Sequence, residues 1–290
     1  MFIIEIYGAY RRTGISWRRI FAAIGGDDSF RLIPYLMEDG EFVSAVKKFP
    51  KVFSGFSDTT VIHLMLYTLG LATYYGLACL TDMGELDKDM LPYTKAAFDH
   101  YMGKEFETIE SSPYWYEERK DFGSSQYGVP RVRHKEGYGH RFIIEKDGKF
   151  TGELLGGCLE TLYDMCVGER HPEEQKIIQQ HGIFPAAREW EGKVLFLETS
   201  ESKSAPKKLE HMLTILEKNG VFKNLQGVIL GKPQDEVYFF EYEEIYTRTF
   251  CGYKYPVVYN VNFGHALPRT VLPYGRKLSI DCQRKELRFV

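Results

Sequence analysis

A serine, a carboxylate and a histidine, each at the end of a strand-like run, are the residues of this chain best placed to do chemistry together. Ser57 lies in Lys51-Val-Phe-Ser-Gly-Phe-Ser57-Asp58-Thr-Thr60, where a short β-prone run breaks at Gly55-Phe56. Residues 59–68 then read as a helix. A serine at such a turn has its hydroxyl exposed and aimed away from the sheet, and the N–H groups after it stabilise developing negative charge. The pattern is Gly-x-Ser-Asp rather than the Gly-x-Ser-x-Gly of a full nucleophile elbow, and on this segment alone Ser57 or Asp58 reads first as a helix N-cap. Glu198 ends the apolar run Lys193-Val-Leu-Phe-Leu197, at the edge where open α/β sheets carry functional groups. His265 sits in Asn262-Phe-Gly-His265-Ala-Leu-Pro268-Arg-Thr-Val-Leu-Pro273-Tyr-Gly275, a loop restricted by two prolines and two glycines. A general base needs such fixed geometry. Singly, His265 reads as structural and Glu198 as a solvated loop carboxylate. Together the three supply nucleophile, orienter and base, with Glu201 as the alternative acid. Their order suits a triad without proving one, because triads are defined by geometry.

The elements that must position these groups alternate from the start. Arg19-Ile-Phe-Ala-Ala-Ile24 reads as a buried strand entering the Gly25-Gly26 loop, and Asp27-Asp28-Ser29 offers caps for a helix carrying Phe30, Leu32, Ile33 and Leu36. Residues 41–49 look helical, and Val52 opens the strand before Ser57. This β-α-β-α-β order predicts a parallel sheet covered by helices. Residues 59–81 carry no formal charge if His63 is neutral, which is long enough to raise a membrane span. Gly70, Gly76 and scattered Thr and His residues favour a buried helix, a turn, and a strand over 71–75. Residues 103–149 break the pattern and read as an irregular loop region. A second organised region begins at Gly152 and includes a helix over 206–219, strands at 227–230 and 256–263, and a closing hairpin of 277–282 with 286–290. The expected organisation is a domain over 1–128, a linker over 129–150, and a second domain over 151–290.

Composition narrows the function. The net charge of −3 gives no global attraction to nucleic acid. The cluster Arg131, Arg133, His134, Lys135, His140 and Arg141 is interrupted by Glu136 and reads as a solvated basic loop. The first residues lack a basic leader, a long apolar core and a cleavage site, so a cytoplasmic protein is expected. Five cysteines form no Cys-x-x-Cys pair and read as reduced, mostly buried thiols; the eight histidines show no metal-binding spacing.

The sequence resembles the cytoplasmic serine peptidase family that contains LD-carboxypeptidases and the microcin C immunity proteins. The matching segments are Ile24-Gly-Gly-Asp-Asp-Ser29, Gly55-Phe-Ser-Asp-Thr-Thr60, Gly156-Gly-Cys-Leu159, Leu195-Phe-Leu-Glu198, and Gly264-His-Ala-Leu-Pro268 with Leu272-Pro-Tyr-Gly275. They span nearly the whole chain in the family's order. The resemblance implies an N-terminal parallel-sheet, Rossmann- or flavodoxin-like domain and a C-terminal α/β domain, with the site between them. It implies Ser57 as nucleophile, Glu198 as acid and His265 as base, and an oxyanion hole from the Asp58 N–H and the Gly25-Gly26 loop. It further implies a cofactor-free homodimer acting on a small peptide or peptidyl-nucleotide.

Trp115, in Pro113-Tyr114-Trp115, resembles the aromatic loop of the immunity branch and is expected to contact substrate, with a packing anchor as the alternative reading. Murein tetrapeptides cut before D-alanine are the alternative substrate, and an inactive binding protein is the alternative of another class. Glu236, after a strand, is a further candidate contact, or a solvated loop carboxylate. Two departures stand out. Cys158 replaces a usual asparagine, whose paired donor and acceptor a thiol does not reproduce. The segment before the Gly25-Gly26 loop is shorter than the family's, so one side of the sheet is expected to be exposed.

Overall fold

The computed structural model describes residues 19–101, 104 and 107–290; the expected shortening concerns residues 1–18, which lie outside the described residues. Along the chain, β1 (Arg19–Phe21) leads through the Gly25-Gly26 loop and a 3-10 turn to α1 (Ile33–Met37) and α2 (Gly40–Lys48). The Asp39 carboxylate caps α2 by accepting from the N–H groups of Glu41 and Phe42, and Phe42 and Val46, four apart, are its buried stripe. Next come β2 (Val52–Gly55), α3 (Thr60–Thr68), β3 (Tyr74–Tyr75) and α4 (Pro92–Tyr101). They are followed by β4 (Tyr114–Tyr116), β5 (Arg133–Lys135), β6 (Arg141–Ile144) and β7 (Lys149–Cys158). The rest of the chain is α5 (Leu159–Val167), α6 (Pro172–Gln180), β8 (Lys193–Glu198), α7 (Pro206–Lys218), β9 (Gly227–Gly231), α8 (Phe239–Phe250), β10 (Val257–Val261), β11 (Leu272–Pro273), β12 (Lys277–Asp281) and β13 (Glu286–Phe289).

Two sheets position the site. In the first, β1, β2 and β3 run parallel and β11 pairs antiparallel with β3. In the second, β7, β8, β9 and β10 run parallel, β12 and β13 extend one edge antiparallel, and β6 closes the other. The runs in β8, β9 and β10 are buried almost throughout, as expected of parallel strands covered on both faces. α3 is buried nearly all round and packs on α5 and β7, so it joins the sheets through one continuous apolar core. Among the described residues, no helix is long and apolar enough to cross a membrane.

The parallel N-terminal sheet and mixed α/β architecture agree with the sequence reading; several local expectations are corrected. The strand expected over 71–75 contains only Tyr74–Tyr75, because residues 71–73 leave the turn after α3 before pairing begins. The irregular region holds an antiparallel hairpin of β4 and β5, and β6 within 129–150 pairs with β10 in the second sheet. The basic cluster is only partly solvated: Arg133 and Lys135 are exposed on β5, whereas the Arg131 side chain is buried against Glu85 and Arg141 pairs with Glu243. Only Cys158 and Cys282 are buried among the five free thiols, and Cys251 is exposed.

Candidate active site

The local chain path puts Ser57 under strain. Its φ is 64°, a left-handed conformation that costs a non-glycine residue about 1–3 kcal/mol and concentrates at functional sites. Three contacts hold it. The Ser57 N–H donates to the Tyr75 hydroxyl at 3.0 Å, the Thr60 hydroxyl donates to the Ser57 carbonyl at 2.7 Å, and the Thr59 hydroxyl donates to the Phe56 carbonyl at 2.8 Å. Thr60 Oγ1 also accepts the Cys158 N–H at 3.0 Å, which clamps the elbow to the end of β7.

Neither Ser57 nor Asp58 caps α3 through its side chain. Asp58 instead accepts from the Ser29 N–H at 2.9 Å, so its carboxylate takes the capping role expected of Asp27, Asp28 or Ser29. Burial raises the Asp58 pKa despite that bond. The arrangement draws the Gly25-Gly26 loop onto the elbow. A Cβ added at Gly25 would lie 2.8 Å from Ser57 Cβ and 3.0 Å from its Oγ, so only glycine allows the backbone this close.

Glu198 and His265 meet across the second sheet. The buried Glu198 carboxylate accepts from His265 Nδ1 at 2.7 Å, from the His265 backbone N–H at 3.1 Å, and from the Tyr75 hydroxyl at 2.5 Å. At Gly264, φ is 83° and a Cβ would reach within 2.5 Å of the Glu198 carboxylate carbon, so this position needs glycine twice over. Tyr75 thus links Ser57 to Glu198 and hence to His265, a connection the sequence reading missed. It ends a parallel strand immediately before Gly76, and the strand-end rule that selected Glu198 applies to it equally. Burial, reinforced by Glu198, pushes the Tyr75 pKa well up, keeping the phenol a hydrogen donor.

Glu201, the alternative acid, takes the opposite ring nitrogen: its Oε2 lies 2.9 Å from His265 Nε2. It therefore competes for the nitrogen that a serine would face, while Glu198 holds Nδ1. Burial opposes a charge on His265, but Glu198 and then Glu201 outweigh it and push its pKa to about 10. The bond to His265 pulls Glu201 down to about 2.

A cavity of about 200 Å³ opens beside Ser57, lined by Gly26, Cys158, Glu160, Ser200 and Glu201 among others. Cys158 is buried, with its Sγ 3.6 Å from Glu160 Oε2. Burial, then Glu198 and Glu160, push its thiol pKa well up. Cys158, Glu198 and His265 also bring one potential ligand atom each within 4.8 Å of one another, a grouping that no spacing in the sequence revealed.

Trp115 and Glu236 come together through a residue that the sequence analysis did not select. Buried Lys232 pairs with Glu236 at 2.5 Å and Glu136 at 3.1 Å, and its ammonium lies 5.5 Å from the Trp115 ring centroid. Glu236 is thus ion-paired rather than simply solvated. Trp115 stacks on His134 with centroids 4.1 Å apart. Its hairpin is tied to the histidine loop by the Tyr116 N–H, which donates to the Leu267 carbonyl at 3.0 Å.

Comparison with known proteins agrees with this architecture. Residues 9–76 match the LD-carboxypeptidase N-terminal domain, and residues 151–280 match the LD-carboxypeptidase C-terminal domain. The crystal structure of an MccF-like protein from Streptococcus pneumoniae, in complex with AMP, has a TM-score of 0.89 and 39% identity, covering 98% of this chain and 81% of that one. The microcin C7 self-immunity protein MccF of Escherichia coli is 28% identical over 279 residues, 92% of this chain and 72% of its own length. A structure of MccF in complex with aspartyl sulfamoyl adenosine has a TM-score of 0.74 at 27% identity, covering 94% of this chain and 76% of that one. A probable murein peptide carboxypeptidase of Bacillus subtilis is 24% identical over 274 residues, 92% of this chain and 70% of its length. With both halves of the family pattern in order on one chain and a 39%-identical relative sharing the fold, this chain belongs to the LD-carboxypeptidase and MccF-like family of serine peptidases.

Proposed function

We propose that the chain hydrolyses the amide of aminoacyl- or peptidyl-nucleotides with a Ser57–His265–Glu198 triad. The observation that carries this reading is the hydrogen-bonded path from the strained Ser57 through Tyr75 and Glu198 to His265. Once Glu201 leaves Nε2 and the imidazolium loses its proton, His265 accepts the Ser57 Oγ proton as Oγ attacks the carbonyl carbon. Glu198 keeps Nδ1–H oriented and stabilises the imidazolium that re-forms. The N–H of Asp58, with one from the Gly25-Gly26 loop, receives the oxyanion; such donors are worth roughly 3–4 kcal/mol each. His265 then protonates the leaving amine, and water, deprotonated by the same imidazole, releases the acyl group from Ser57.

The nucleotide preference draws on the relatives bound to AMP and aspartyl sulfamoyl adenosine. It also draws on this chain's own Trp115, a half-buried aromatic ring on the hairpin tied to the histidine loop. The Bacillus relative favours a second reading, cleavage of murein tetrapeptides before D-alanine.

Hydrolysis of aspartyl sulfamoyl adenosine and of a murein tetrapeptide, assayed side by side, separates the readings. Cleavage of the nucleotide is expected, with a loss of roughly 10⁴-fold or more in kcat for Ser57→Ala. Trp115→Ala should lower kcat/KM for the nucleotide by about 10- to 100-fold, the worth of one base–aromatic stack, and leave any murein cleavage unchanged. A Ser57→Ala variant with the parent rate would sink the triad. Turnover of the tetrapeptide alone would select the murein reading, and the absence of both turnover and fluorophosphonate labelling would mark a binding protein.

A further inference from the structure

Three side chains of different ligand chemistry converge where the sheets meet. Cys158 ends β7, its register partner Glu198 ends β8, and His265 follows β10. One donor atom from each lies within 4.8 Å of the other two, and all three residues are buried. Zinc bonds of roughly 2.0–2.3 Å to imidazole, carboxylate and thiolate place neighbouring donors of a tetrahedron about 3.3–3.8 Å apart. Shifts on the order of 1 Å therefore close the set.

Two further observations favour a cation. Glu160 brings a half-buried carboxylate to 3.6 Å from Cys158 Sγ, and Glu201 approaches His265 from the other side. Two carboxylates thus flank the imidazole, and a third lies beside the thiol. The cavity over Ser57 is also lined by Cys158, which gives an ion an entry path and a place for a water as fourth ligand.

We propose that Cys158, Glu198 and His265 form a site for a thiophilic divalent cation, zinc(II) foremost, whose occupancy blocks the serine chemistry. Thiolate with imidazole and carboxylate selects zinc over magnesium or calcium, which take oxygen ligands. On binding, Cys158 Sγ–H and His265 Nδ1–H each lose a proton to solvent, while the Glu198 lone pair turns from the imidazole to the metal. Glu198 then no longer orients His265, and Ser57 is left without its base. Coordination itself does not depend on the proposed activity; the inhibition rests on that reading.

Cobalt(II) added to the full chain with a non-thiol reductant is the probe. A thiolate-to-cobalt charge-transfer band should saturate at one equivalent and disappear when zinc(II) is added. Cys158→Ser, which exchanges the thiol for a hydroxyl and keeps the branch geometry, should lose that band, and Cys251→Ala, which removes the exposed thiol, should keep it. Micromolar zinc should slow fluorophosphonate labelling of the parent at least tenfold, reversibly with a chelator, and should not slow labelling of Cys158→Ser relative to its own metal-free rate. The absence of the band in the parent, or its survival in Cys158→Ser, overturns the site. Zinc-insensitive labelling of a parent that shows the band overturns the inhibition. Failure of the metal-free parent to label refutes the serine reading instead, and the cobalt spectrum then decides the metal site by itself.

Discussion

Replacing Glu201 by glutamine should move the acidic limb of activity about one pH unit lower. At a pKa of about 10, His265 holds a proton on both nitrogens at neutral pH, so its basic form is scarce until the imidazolium is relieved. Glu201 contributes to that charge from 2.9 Å, at the nitrogen the serine needs. Coulomb's law at this separation gives about 6 kcal/mol at an effective dielectric of 20 and about 1.4 kcal/mol in water. The Glu201 side chain is 68% exposed, so the aqueous limit governs, and about 1.4 kcal/mol corresponds to about one pKa unit. The sign is fixed: deleting a negative neighbour destabilises the imidazolium, lowers the His265 pKa, and populates the neutral base at lower pH. The assay is the pH dependence of kcat/KM on aspartyl sulfamoyl adenosine, paralleled by the pH dependence of fluorophosphonate labelling. Below the limb, Glu201→Gln should run about tenfold faster than the parent. An unmoved or raised limb would refute the reasoning. Collapse of the plateau rate would identify Glu201, not Glu198, as the orienting acid.

Tyr75→Phe removes the hydroxyl that accepts from the Ser57 N–H and donates to Glu198, leaving a buried carboxylate short of a donor. A stability loss of about 1–3 kcal/mol is expected by denaturant titration, with kcat falling further than KM changes; a proportionate rise in KM alone would contradict a positioning role. Gly264→Ala adds a methyl within 2.5 Å of the Glu198 carboxylate at φ 83°, so it should lower the melting temperature and abolish labelling together. Gly252→Ala, where an added Cβ meets nothing within 4 Å, is the matched control and should change neither.

Much of the scaffold was legible because its signals are local. The apolar runs of β2, β8, β9 and β10, the closing hairpin of β12 and β13, and helices α2, α3 and α7 each carry their own periodicity and boundaries. β6 was hidden among polar neighbours, since four residues pairing at a sheet edge need no long apolar run. The same limit applies to the site. Residue type and strand-end position singled out Ser57, Glu198 and His265 before any contact was known.

Tertiary structure alone decided their partners. Tyr75 reaches Glu198 across 123 positions of sequence, Glu201 occupies Nε2 rather than Nδ1, and Asp58 caps a turn that begins at Ser29. Sheet register brings Cys158 beside Glu198, and Lys232 draws Trp115 and Glu236 together. A sequence specifies which face or end of an element each side chain occupies, through the backbone's own repeat. Which side chains then meet depends on how separate sheets and loops pack, and that is a property of the whole core rather than of any segment.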